Sequence, residues 1–261
     1  MAYVQYLRRT FRSLPWLLAA ASLGSAPLQA RDFKDSLVRI RAVADDGSQS
    51  LGSGVVIAGD LLATACHVTR MARTIEIEQA DQRWIASAGS GSPTHDLCLV
   101  QVPHLDLPPA AIRGSGRLRL GEHVMAAGFP AGGNLVMSEG QVEGLYLYDG
   151  GNVIRTSATF DAGASGGGLF DDEGALVGLL AFKARSGAKL HFALPADWTL
   201  SGAAVSSQFV PIVPSGEQRA FWERPKSSQP SFLGLAMLEA ASQRDSATSA
   251  CNQPAGATSS P

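Results

Sequence analysis

Between Phe33 and Phe192 the chain is interrupted so often by glycine and other turn residues that no long helix fits. Ten short apolar or alternating segments lie in this stretch. They include "SLVRIRAVA" from Ser36, "GSGVVIAG" from Gly52, "TIEIEQ", "DLCLVQV", "HVMAAG", "VIRTSATF", "ALVGLLAF" and "KLHFAL". Alternation with a period of two, broken by turn signals, predicts half-buried strands, and many short strands at this spacing predict a sandwich or barrel. The 28 glycines fit a turn-rich β protein. With 261 residues, 45% of them hydrophobic, the chain can build a sizeable core. A net charge of −2 without a clustered basic face excludes a nucleic-acid footprint.

The two ends read differently. Arg8, Arg9 and Arg12 precede the apolar run "LPWLLAAASLG" and the small residues up to Ala30. This is the pattern of a secretory signal peptide over 1–30, with an uncleaved membrane anchor as the competing reading. The pair in "RRTF" also resembles a twin-arginine export signal. After Pro195, "PSGEQRAFWERPK" and "SFLGLAMLEAASQR" look helical, the second with Leu233, Met237 and Leu238 on overlapping faces. The last residues are small and polar and predict disorder.

The chemistry centres on "DAGASGGGLF", Asp161 to Phe170. A serine nucleophile needs a base for its proton, a carboxylate to hold that base, and backbone N–H groups facing the developing oxyanion. Glycines beside Ser165 leave those N–H groups unobstructed, so Gly163 and Ser165 are the candidate oxyanion donors. Among five histidines, His67 stands out at the end of two strands joined by a tight turn, in "GSGVVIAGDLLATACHV". Asp96 opens the apolar strand "DLCLVQV", where a charge is costly to bury without a partner such as His67. His95 beside it is expected on the opposite, surface face. Neither metal-ligand spacing nor a cofactor motif is present, and no metal or cofactor is expected.

"ATACHV", "HDLCLVQV" and "GASGGGL" together resemble the histidine, aspartate and Gly-x-Ser-Gly-Gly motifs of trypsin-like serine proteases. The order His, Asp, Ser is that of the chymotrypsin clan. The short intervals between the motifs, and "HFALPADW" from His191, resemble compact bacterial high-temperature-requirement proteases of the periplasm. The resemblance spans about Phe33 to Ser201. No region similar to their PDZ domain follows it.

The resemblance implies an all-β fold of two packed six-stranded antiparallel barrels, over 31–118 and 119–205, with a C-terminal extension over 206–261. It implies an exported serine endopeptidase acting on protein or peptide substrates in the periplasm or outside the cell. Its catalytic residues are Ser165 as nucleophile, His67 as base and Asp96 as its orienting partner. Activity would rise as His67 loses its proton, near an imidazole pKa of about 6.5. The specificity pocket falls on Thr159 as floor, with walls from Leu180, Ala181 and Phe182 and from the segment near His191. No aspartate stands at the floor, so small or medium apolar side chains fit better than arginine or lysine. If the three catalytic residues assemble, Cys66 and Cys98 become neighbours, as a disulfide or as two buried thiols. The competing function is a latent or inactive binding module of the same fold, acting through its cleft or tail.

Overall fold

The computed structural model describes residues 32–186, 188–200, 208–214, 216 and 218–239. The leader, Cys251 and the polar tail lie outside them. Seven strands build the N-terminal body: β1 (Leu37–Val43), β2 (Gln49–Ala58), β3 (Leu61–Ala65), β4 (Thr74–Gln79), β5 (Gln82–Ile85), β6 (Ala88–Ser92) and β7 (Leu97–Gln101). Six follow in the second body: β8 (His123–Gly128), β9 (Val136–Tyr148), β10 (Gly151–Thr156), β11 (Gly168–Phe170), β12 (Leu176–Ser186) and β13 (Ala188–Pro195). A two-residue strand, β14 (Val210–Pro211), comes from the extension. All strand pairs are antiparallel.

The second body is a closed six-stranded barrel in the order β10-β13-β12-β11-β8-β9. The N-terminal body differs in detail from a six-stranded barrel. It is one eight-stranded sheet, β14-β6-β7-β3-β2-β1-β4-β5, with β14 supplied by the extension. The sheet stops at β5 because that strand is short and exposes three of its four residues, including Arg83.

Alternation decides where each body keeps its core. Val38, Ile40 and Ala42 of β1 turn inward with Val56, Leu62, Ile75, Ile77 and Val100. The barrel interior holds Val124, Val142, Ile154, Leu169, Val177 and Leu180. A third cluster joins the bodies. Leu37, Val55, Leu97 and Leu99 from the first meet Phe129, Phe170, Leu179, Phe182, Phe192 and Trp198 from the second.

The extension is not helical where "PSGEQRAFWERPK" suggested. Residues 221–223 form a turn, and Pro225 disfavours the helical conformation at Arg224. The second expected helix is present as α2 over 231–239, once the single turn α1 (Cys66–Thr69) is counted first. Its buried face is Phe232, Leu233 and Ala236, while Leu238 is exposed. Phe232 stacks on Tyr146 with ring centroids 5.2 Å apart. The buried Arg155 donates to Ala236 O at 3.3 Å, tying α2 to β10.

Candidate active site

The register of β3 against β7 pairs Thr64 with Cys98 and Ala65 with Leu97. The chain leaving β3 therefore lies beside the chain entering β7, and these two ends carry His67 and Asp96. His67 does not finish a strand, as its motif suggested, but sits in α1. The first N–H groups of that turn lack helical partners. Asp96 supplies both: its carbonyl accepts Cys66 N–H at 3.1 Å and its Oδ1 accepts His67 N–H at 2.8 Å. Its Oδ2 lies 2.7 Å from His67 Nδ1. Asp96 is 1% exposed and takes a left-handed φ of +59°, a conformation aspartate tolerates better than most residues.

Burial works against the imidazolium of His67. The Asp96 hydrogen bond and charge, aided by Glu223, outweigh both burial and the charge of Arg70. The imidazole pKa therefore stands above its ordinary 6.5, a correction to the expectation of an unperturbed base. Cys66 and Cys98 form a disulfide with Cα atoms 4.9 Å apart, tying α1 to β7 on either side of the His67–Asp96 pair.

Ser165 comes from the loop before β11. Gly166 beside it has φ +83°, and a Cβ there would lie 2.3 Å from Ser53 O and from Thr64 Oγ1. Only glycine lets this loop lie so close to the end of β3. Gly163 has φ +94°, and a Cβ would stand 2.3 Å from Ala131 N. Ala131 N–H donates to Ala162 O at 2.8 Å. In a trans peptide the C=O and N–H point opposite ways, so this bond turns the Gly163 N–H to the other side. Among the described residues, neither Gly163 N–H nor Ser165 N–H is donated to a protein acceptor. The Ser165 hydroxyl donates to Ala181 O at 3.3 Å and makes no hydrogen bond with His67 among the described residues.

Ser53, which the sequence did not single out, organises this loop. Its N–H donates to Ser165 O and its hydroxyl to Gly163 O, each at 2.8 Å. The same hydroxyl accepts Phe129 N–H at 2.8 Å. Ser53 is fully buried on β2, so a strand of the first body fixes the serine loop of the second.

The expected pocket residues separate. Thr159 and Leu180 line one cavity of about 250 Å³ with Ala126, Val136 and Ser138. Ala181 instead underlies Ser165, and Phe182 stacks between Phe192 and Trp222 at 4.8 Å from each. His191 is buried against Phe160, not on the cavity wall. His95 is not a free surface residue. Its side chain is 12% exposed, packs edge-on to Trp198, and pairs through Nε2 with Asp149 Oδ2 at 2.6 Å, linking the two bodies. Trp222, the other residue the sequence missed, has its ring 5.6 Å from that of His67 and edge-on to it. The aromatic pair "FW" inside the polar stretch "SGEQRAFWERPKSSQ" was the available signal.

The profile of the trypsin-like peptidase domain family matches residues 52–179, which contain His67, Asp96 and Ser165. The serine protease Rv3671c of Mycobacterium tuberculosis is 28% identical over 173 residues, covering 62% of this chain and 43% of that protein. A probable periplasmic serine endoprotease, DegP-like, of Pseudomonas fulva is 32% identical over 193 residues, covering 68% and 40%. The crystal structure of the active form of the M. tuberculosis protease shares the fold. Its TM-score is 0.63 at 24% identity, over 80% of this chain and 99% of that one. The chain thus spans about two fifths of the length of the two relatives it matches in sequence. Two β bodies with a His–Asp pair on one and a glycine-flanked serine on the other, together with the profile over residues 52–179, identify a trypsin-like peptidase domain in this chain.

Proposed function

We propose that this protein is an exported serine endopeptidase that hydrolyses peptide bonds through an acyl-enzyme on Ser165. His67 takes the hydroxyl proton as general base and returns it to the leaving amine. Asp96 holds the imidazole with Nδ1 protonated and Nε2 available, and stabilises the imidazolium that forms. The N–H groups of Gly163 and Ser165 receive the oxyanion. Water then repeats the sequence on the ester and releases the acid. The observation that carries this reading is the 2.7 Å contact from His67 Nδ1 to a buried Asp96 whose other oxygen is already engaged by His67 N–H. The two undonated N–H groups beside the serine support it.

Export to the periplasm is supported by the basic and apolar pattern of the leader. It is also supported by a relative described as periplasmic, and by a disulfide that an oxidising compartment would maintain. One observation favours the second reading, a latent enzyme or binding module: the Ser165 hydroxyl is directed to Ala181 O. Hydrogen bonds of this kind are often loose before substrate arrives, which is why the active reading is preferred.

A fluorophosphonate probe with adduct mapping by mass spectrometry separates the two. Labelling of Ser165 in the wild-type chain, and its loss in His67→Ala, is the expected result. A folded wild-type protein that does not label would establish the latent reading.

A further inference from the structure

Residues 220–224 lie beyond the family-profile match, yet they reach the cleft. Phe221 N–H donates to Thr94 O at 2.9 Å, two residues before Asp96. The Phe221 ring is wholly buried among Tyr148, Phe182 and Phe232. Glu223 pairs with Arg70 at 2.8 Å and accepts Ala220 N–H at 3.1 Å. The Gln229 amide donates to the carbonyls of Trp222 and Arg224 at 2.9 and 2.8 Å. Trp222 is thus held on both sides along the chain. Its ring lies flat on Phe182, 4.8 Å away at 14°, with His67 at its edge. The indole N–H is buried without a partner among the described residues, so packing and not hydrogen bonding seats the ring.

We infer that Trp222 determines specificity, forming the cleft wall beside His67 and restricting the substrate residue just before the cleaved one to a small side chain: glycine, alanine or serine. This rests on acyl transfer at Ser165 as proposed above. Pairing of β11 with β12 ends at Leu179. Beyond it, Ala181 turns its carbonyl toward Ser165. An extended peptide adding to this stretch through its backbone would alternate its side chains. The residue presented to Ser165 sends its side chain toward the cavity of Thr159 and Leu180. The residue before it points the opposite way, to His67 and Trp222. An indole ring seated on Phe182 with His67 at its edge narrows the space there for a leucine or phenylalanine. The segment is a fixed wall and not a detachable lid, because Phe221 and the buried face of α2 belong to the cluster that joins the two bodies.

The test uses the full chain and a library of fluorogenic tetrapeptide amides, randomised at the cleaved residue and fixed at the one before it. Fluorophosphonate labelling is run in parallel. Wild type should label at Ser165 and favour glycine or alanine over leucine or phenylalanine by at least about tenfold in kcat/KM. Trp222→Ala should still label at Ser165 and lose most of that preference through faster turnover of the large residues. Trp222→Phe, which keeps a smaller aromatic ring while removing the unpaired N–H, should retain more of the preference than Trp222→Ala. A labelled wild type without the preference overturns the role of Trp222 while leaving the catalytic reading intact, and needs no variant to fold. An unchanged preference in Trp222→Ala overturns it as well. A wild type that does not label removes the catalytic reading and this inference together.

Discussion

Asp96 meets three demands with one side chain: it closes the first turn of α1, orients His67, and accepts a left-handed backbone to do so. In the role proposed for it as base, His67 must be neutral to take a proton. With its pKa raised by Asp96 and Glu223, His67 is half deprotonated only above pH 6.5. The pH profile of kcat/KM should therefore rise to a plateau with its midpoint above that value. In Asp96→Asn the midpoint should fall and the plateau should drop by about 10⁴-fold, because the wrong tautomer is held. A wild-type midpoint at or below 6.5 would contradict the described environment of His67. This part of the site was legible because each residue sits in its own local motif. Ser53 and Trp222 were not. Ser53 acts on Gly163, 110 residues away, and nothing around "GSG" announces a contact made by folding alone.

At the scale of elements, α1 and β7 are joined by covalent as well as polar contacts. The disulfide closes a chain separation of 32 residues. In the chain-entropy account a loop of that size stabilises by about 3–4 kcal/mol. Urea unfolding of the Cys66→Ser, Cys98→Ser double variant should show a loss of that order. An unshifted midpoint would mean that the two sulfurs contribute no cross-link. The strands themselves were readable from alternation and turn residues. The single turn α1 was not, since "ATACHV" continues the apolar character of β3 and the signal that ends the strand, Asp96, is distant in sequence. The segment "RAFWER" was misread as helical because its composition is helix-compatible. What defeats the helix is the pull of Phe221 into the core and the proline at 225.

At the scale of the molecule, two bodies are joined along an apolar cluster, and the candidate site draws residues from both. Pattern alone predicted short strands in a sandwich or barrel, and the family resemblance implied the pair of bodies. Neither predicted that β14 would extend the first or that α2 would seal against the second. Ser53 is the clearest joint between them. Ser53→Ala removes the donor to Gly163 O and leaves Phe129 N–H buried without its acceptor. The expected cost is about 1–3 kcal/mol of stability, with slower fluorophosphonate labelling of the folded protein. Unchanged stability and labelling rate would show that the loop does not depend on it.

The joint at Ser53 also spans the chain from one end of the fold to the other. The serine loop lies late in the chain, while its anchor lies on β2, near the start of the fold. The second barrel, if it closed first, would carry a nucleophile with its flanking carbonyls untethered and without His67. The chemistry proposed for Ser165 thereby needs both bodies docked, and either body folded alone would lack part of the site.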